Sequence, residues 1–278
     1  MECKVQQPVQ QFQDQAEYQA LMEGLERSKF HKALILPLIE RNTEKIVEIG
    51  CGNGVVLDLL AHNFRKSQIT GIDLDPVMCD AARKRCLDNV DVLLTGATHL
   101  PLADESVDVV IYCSTIHEIY SHGGPHEVDN SLSEAVRVLK PGGSIIIRDT
   151  VKPAPEKVRV NFKKDWTRKR FRTFIKDYKV MPARYRQLSD GAVQVELDYF
   201  FEYLTKYFYE VGWHKEMDEI YGYFTKEEFR DKLAQHGLKV AKMHSYLLPF
   251  FEEKWSKDFS MDAPFPESTV IIKAVKGQ

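Results

Sequence analysis

The chain has 278 residues, 44% hydrophobic and 28% charged, the balance of a soluble globular protein with one large domain or a domain carrying a sizeable insertion. Its formal net charge of −3 gives no global reason to expect nucleic acid or an anionic membrane as partner. Five cysteines (Cys3, Cys51, Cys79, Cys86, Cys113), odd in number and without C-x-x-C spacing, argue against a disulfide framework or zinc ribbon and for a reducing, cytoplasmic location.

In chain order, the first 15 residues are Gln-rich, too polar for a signal peptide and without a hydrophobic period, so a frayed tail is expected. Tyr18 to about Ile39 sets Leu21, Met22, Leu25, Phe30, Leu34, Leu36 and Leu38 at helical spacing, predicting one or two leading helices. Apolar runs then alternate with helical stretches: strands at Lys45–Ile49, Gln68–Asp73, Val92–Thr95 and Val107–Tyr112, helices at Asn53–His62 and from Pro76 to about Asp88. A helix ending near Leu139 is broken by Lys140-Pro141-Gly142-Gly143 before a strand at Ser144–Asp149. Repeated strand-and-crossover units predict a parallel sheet covered by helices. No run approaches the ~18 apolar residues that span a bilayer, so no membrane partner is expected.

From Val151 to Phe224 the alternation gives way to segments rich in Lys, Arg and aromatics, which predicts a helical insertion. Thr225 with Glu228 three residues on predicts a capping box, and Gly237 a helix end. Lys239–Leu247 and Thr269–Val275 read as closing strands, joined by a three-proline stretch, Leu248–Ser268, expected to be a loop or lid. The expected organisation is therefore a tail and leading helices (1–44), an α/β core (45–150), the helical insertion (151–224) and a helix and strand pair completing the core (225–278).

A strand running into Gly50-x-Gly52-x-Gly54 and then a helix lets the backbone turn sharply and lets a ligand approach without a Cβ in the way. About twenty residues on, the second strand ends in Asp73, positioned to accept from two ribose hydroxyls. The third glycine of the dinucleotide fingerprint would fall at Val55, and no phosphate-loop lysine motif occurs, so the ligand is a nucleoside without a phosphate to cradle.

Glu48-Ile49-Gly50-Cys51-Gly52-Asn53-Gly54 resembles motif I of the class I (Rossmann-like) S-adenosylmethionine-dependent methyltransferases. Gly71-Ile72-Asp73-Leu74-Asp75 resembles their second motif, and Leu100–Val110 and Glu134–Gly143 resemble the segments entering their strands four and five. The resemblance covers about Lys45–Asp149, and the last two strands more loosely. It implies a doubly wound, mostly parallel seven-stranded sheet with a helical insertion after strand five. It also implies S-adenosyl-L-methionine as cofactor. On that resemblance Gly50, Gly52 and Gly54 line the methionine and ribose side, Glu48 holds the methionine amino end, Asp73 takes the ribose hydroxyls and Leu74 packs on adenine. Cys51, Ala97 and Cys113 complete the expected cofactor-lining set. Many relatives carry an acid after strand three where this chain has Gly96-Ala97, so the adenine amino contact falls to a backbone group, Thr95 or Thr98.

The loop after strand four, Cys113 to His122, is the richest candidate for acceptor chemistry. His117 is the leading general base, as an imidazole near pKa 6.5, or else a side chain bonded within its loop. Glu118 would orient it or hold substrate, Tyr120 would wall the pocket, and Asp149 would bond the backbone that follows it. Cys113 lacks the Pro-Cys context of an adduct-forming thiol and reads as a small buried residue. No carboxylate pattern accompanies His117, His122 and His126, so no metal is expected.

Lys157–Arg186 holds twelve Lys or Arg against Asp165 and Asp177, interleaved with aromatics, as a phosphate-binding surface would. Asp190–Asp231 holds eleven acids against four bases, so the two halves can instead pair as a lid. The expectation is methyl transfer to O or N of a small molecule under that lid. RNA (tRNA) methylation through Lys157–Arg186 and a non-catalytic binding regulator are the alternatives.

Overall fold

The computed structural model describes residues 15–277; the Gln-rich stretch through residue 14, with Cys3 and the expected tail, lies outside them. The chain enters through α1 (Gln15–Arg27), α2 (Lys29–Lys32) and a 3-10 turn at Ala33–Leu38. It continues as β1 (Lys45–Ile49), α3 (Val55–Asn63), β2 (Gln68–Asp73), α4 (Pro76–Arg83), β3 (Val90–Leu94), β4 (Val107–Cys113), α5 (Ile116–Val138) and β5 (Leu139–Thr150). Then come β6 (Lys157–Phe162), α6 (Asp165–Asp177), β7 (Tyr185–Gln187), β8 (Val193–Glu196), α7 (Leu197–Lys206) and α8 (Trp213–Glu216). The chain closes with α9 (Lys226–Gln235), β9 (Leu238–Tyr246), α10 (Pro249–Asp258), β10 (Phe259–Met261) and β11 (Thr269–Lys276).

Seven strands form one sheet in the order β3-β2-β1-β4-β5-β11-β9, parallel throughout except for β11, which runs antiparallel to β5 and β9. This is the expected doubly wound sheet. Because strand side chains alternate between faces, Val47, Val110, Ile145 and Ile147 pack on α5 and α9, while Ile46, Val109, Ile111 and Ile146 pack on α3. Both faces are thus covered, as a parallel sheet requires. Strand order reverses between β1 and β4, and at such a switch point the loops after the strands part to leave a crevice.

The Thr225–Glu228 capping box forms, and Gly237 ends α9 with φ 72°. The insertion is not purely helical. It contains β6, β7 and β8, which join β10 in a four-stranded antiparallel sheet ordered β10-β6-β8-β7. β6 alternates exposed Lys157, Arg159 and Asn161 with buried Val158, Val160 and Phe162, a period-two pattern that the basic composition obscured. The Leu248–Ser268 connection likewise forms α10 and β10, because Phe162 and Phe259 meet across the second sheet in a shared aromatic core. All ten residues of α7 are buried, including Tyr199, Phe200, Phe201 and Tyr203, so the aromatic group is core.

Candidate active site

The turn between β1 and α3 is tied to β2 from two sides. The Gly50 and Cys51 N–H groups donate to the Ile72 carbonyl at 2.7 and 2.9 Å, and the Gly52 N–H donates to Asp73 Oδ2 at 2.7 Å. The other Asp73 oxygen accepts from the Asp75 N–H at 2.9 Å. Burial pushes the Asp73 carboxyl above its usual range, against the pull of the two backbone N–H groups. Gly50 has φ +72°, and a Cβ there would lie 2.4 Å from Thr115 Cγ2. Gly52 has φ +51° and nothing within 4 Å of such a Cβ, leaving open space beside Asp73. Gly54 does not line the cavity as expected. It faces Ala82 and Arg85, at 3.1 Å from a would-be Cβ, and lets α3 pack on α4.

One cavity of about 560 Å³ is lined by Glu48, Gly50, Cys51, Gly52, Asp73 and Leu74, by Thr95 to Thr98, and by Cys113. Ala97 therefore lies on its wall, as expected, with Gly96 beside Leu74 at 3.8 Å. Glu48 is buried with Oε2 unpartnered. Burial pushes its carboxyl well up, opposed by Lys32 and Arg85. The Cys51 and Cys113 thiols are buried and pushed up by burial, which makes them inert surface rather than nucleophiles.

The same cavity reaches His117 and Glu118. Both stand in the first turn of α5 and not in a loop, because the helix begins at Ile116. Asp149, at the end of β5, accepts the N–H groups of Thr115 and Ile116 at 3.0 and 2.8 Å with Oδ2, completing the N-terminus of α5. Its Oδ1 lies 2.7 Å from His117 Nδ1 and accepts the Thr150 N–H at 2.7 Å. The backbone role expected of Asp149 is present, but the same carboxylate also orients His117, the place expected for Glu118. Nor does the imidazole stay near its ordinary pKa of 6.5. Burial pulls it down, but the charges of Asp149, Glu118 and Glu219 outweigh burial and raise it to about 9. Asp149 is held below the usual carboxylate range because His117 and the backbone amides outweigh its burial.

His117 Nε2 points the other way, into the cavity, 4.0 Å from Glu219 Oε2. The opposing wall comes from the insertion: Tyr209, Glu216, Glu219 and Tyr221. A single acid sets that wall. Glu202 in α7 pairs with Lys206 and accepts the Tyr221 N–H at 3.1 Å, while Thr150 Oγ1 donates to the Tyr221 carbonyl at 2.6 Å. The Tyr221 ring stands edge-on to His117 with centroids 4.9 Å apart. Ala20, Leu21 and Gly24 of α1 close another side. These wall residues escaped the sequence reading because they lie about a hundred positions from His117 and carry no spacing signature; the acids at Glu216 and Glu219 were legible only as charge.

Residues 47–147 match the family model described as a methyltransferase domain. Phthiotriol/phenolphthiotriol dimycocerosates methyltransferase 1 of Mycobacterium ulcerans is 32% identical over 121 residues, covering 42% of this chain and 41% of that protein. Arsenite methyltransferase of Halobacterium salinarum is 33% identical over 117 residues, 40% of this chain and 28% of that protein. The chain therefore spans well under half the length of these curated relatives. The solved structure of an S-adenosylmethionine dependent methyltransferase from Mesorhizobium loti has the same fold, with a TM-score of 0.58 at 15% identity, over 91% of this chain and 100% of that one. Residues 47–147 are thus a methyltransferase domain by family, set in a chain with the fold of S-adenosylmethionine-dependent methyltransferases.

Proposed function

We propose that this chain is a methyltransferase that uses S-adenosylmethionine to methylate O or N of a small molecule, with the 151–224 insertion as a lid. The observation that carries this reading is the His117–Asp149 pair, whose free Nε2 opens into the same cavity as the glycine turn.

The residues present fit the cofactor. Gly52 leaves open space beside the Asp73 carboxylate for a ribose, and the unpartnered Glu48 Oε2 suits a methionine amino group. Gly50, Cys51 and Cys113 would line its middle, and Leu74 and Ala97 its adenine. When bound, it supplies a methyl group activated on a sulfonium. The protein then has to position the acceptor and remove its proton. Asp149 holds the imidazole with Nδ1–H toward the sheet, so that Nε2 is the atom that takes the acceptor proton, and the same carboxylate stabilises the imidazolium formed. Glu118 lines the space beside it and would hold the acceptor, while α1 and the insertion exclude water.

A small acceptor is supported by the cavity volume, which lies within the range of small-molecule sites. Relatives named for phthiotriol/phenolphthiotriol dimycocerosates and for arsenite also support it. Among the described residues no helix is long and apolar enough to cross a membrane. Four described cysteines are free thiols, which supports the reducing location expected from sequence.

RNA remains the second reading because Lys169, Arg172 and Lys176 are exposed along α6. Against it, Arg159 and Arg184 pair with Asp190 and Asp198, and Arg168 and Arg170 donate to backbone carbonyls. Labelled S-adenosylmethionine incubated with separate metabolite, RNA and protein fractions decides: label in metabolites is expected. Label in RNA alone would replace the small-molecule reading, and binding without turnover in any fraction would favour a non-catalytic regulator.

A further inference from the structure

The acceptor end of the cavity carries a charge imbalance that general-base chemistry does not require. Glu118, Glu216 and Glu219 all line it, and among the described residues none of the three has a lysine or arginine ion-pair partner. The cations nearby are committed elsewhere. Lys206 is paired with Glu202, Lys215 lies 3.2 Å from Glu17, and His117 is matched by Asp149. Lys32 and Arg148 also line the cavity, but toward its other end, where Lys32 acts on Glu48 and both act on Cys113.

A second observation is independent of those acids. His117 is 7% exposed, and its Nε2 is turned into this chamber with no hydrogen-bond partner, the nearest carboxylate oxygen standing 4.0 Å away. Above its raised pKa that nitrogen is an acceptor open to the chamber, and a ligand that donates to it would complete its hydrogen bonding. Tyr209 and Tyr221 add aromatic rings to the wall, and the Tyr221 ring already carries a cation, the Lys206 ammonium 4.1 Å from its centroid.

Resting on the methyltransferase reading above, we propose that the acceptor is an organic cation: a small amine, bound as its ammonium ion between Glu216 and Glu219, with one N–H directed at His117 Nε2. That proton must leave before the nitrogen lone pair is free, and it passes to Nε2, giving an imidazolium that Asp149 balances. The proton affinities agree with this. An alkylammonium has a pKa of about 10, and an imidazole at 6.5 would be a poor base for it, whereas His117 is raised to about 9. Burial and the neighbouring Glu219 push Glu118 and Glu216 up to about 8, so the site holds protons that an arriving cation would displace.

The test is calorimetric, on the full chain. S-adenosylhomocysteine and S-adenosylmethionine are titrated first. Then 2-phenylethylamine and its neutral isostere 2-phenylethanol are titrated into the S-adenosylhomocysteine complex at pH 9, where Glu118 and Glu216 are mostly ionised, about half of His117 is neutral and the amine is still mostly ammonium. The ammonium ion is expected to bind at least about ten-fold tighter, and Glu216→Gln with Glu219→Gln to remove that preference while S-adenosylhomocysteine affinity is unchanged. Ammonium binding no tighter than the alcohol, or a preference that survives the double substitution, overturns the proposal. So does a double variant that loses S-adenosylmethionine but not S-adenosylhomocysteine, since the acids would then serve the sulfonium. Failure of the wild-type chain to bind either nucleoside would instead strike down the methyltransferase reading on which the proposal rests.

Discussion

Asp149 Oδ1 lies 2.7 Å from His117 Nδ1, and the other oxygen of the same carboxylate holds the first amides of the helix that carries His117. Position and tautomer of the imidazole therefore depend on one buried acid, and its charge chiefly on the same acid, with Glu118 and Glu219 adding to it. If Nε2 is the base, only neutral His117 is competent, and with its pKa raised to about 9 that form grows about ten-fold from pH 7 to 8 and about five-fold more by pH 9. kcat/KM should climb through that window and level above it. Asp149→Asn removes the largest of the charges that raise the pKa and leaves only Glu118 and Glu219 against burial, so the break should move to lower pH and kcat should fall about 10²-fold. A profile flat from pH 6 to 9 in the wild type would remove His117 from the proton-transfer role.

Asp73 joins the cavity to the turn that frames it, through the Gly52 N–H at 2.7 Å. Asp73→Ala is expected to weaken S-adenosylmethionine binding about ten-fold or more by loss of charge-assisted hydrogen bonds. Titration calorimetry reads this directly, and an unchanged Kd would refute the ribose assignment.

Gly50 and Gly52 are two residues apart but should fail differently. Gly50→Ala drives a Cβ to 2.4 Å from Thr115 Cγ2 in a left-handed backbone, so a loss of about 2–4 kcal/mol in folding stability is expected. Gly52→Ala meets no protein atom within 4 Å. It should lose only about 1 kcal/mol in stability, but at least ten-fold in cofactor affinity. Urea unfolding and calorimetry on both variants check the contrast, which equal stability losses would contradict.

The cavity wall supplied by the insertion hangs on a buried ion pair. Glu202 and Lys206 are both essentially inaccessible, and Glu202 also accepts the Tyr221 N–H. Glu202→Ala leaves a buried ammonium without its counter-charge and should destabilise the fold by about 3–5 kcal/mol. Adding Lys206→Met should recover much of that loss in urea unfolding while kcat stays low, because Tyr221 remains untethered. Full recovery of kcat would mean that Glu202 does not position the wall.

What could be read without the fold was local. The Gly50–Gly54 turn, the acid at Asp73, the capping box at Thr225 and the period-two runs of the central sheet depend on backbone conformations and spacings of a few residues. They follow from sterics and periodicity alone. The basic residues of Lys157–Arg186 showed as a charge count but not as a surface, since Arg159 and Arg184 are paired with acids and Val158, Val160 and Phe171 point into a core.

The glycine turn and Asp73 were thus legible in the sequence and line one cavity, whereas Gly54 faces Ala82 and Arg85. The tertiary structure decided everything that joins distant positions: β10 pairing with β6, Asp149 against His117, and Glu216 and Glu219 lining the same cavity as that imidazole. Such partnerships arise when separate apolar faces bury one another and bring their polar edges together. No spacing along the chain encodes which edges will meet, so His117 was visible in the sequence while its pairing with Asp149 and the wall opposite it were not.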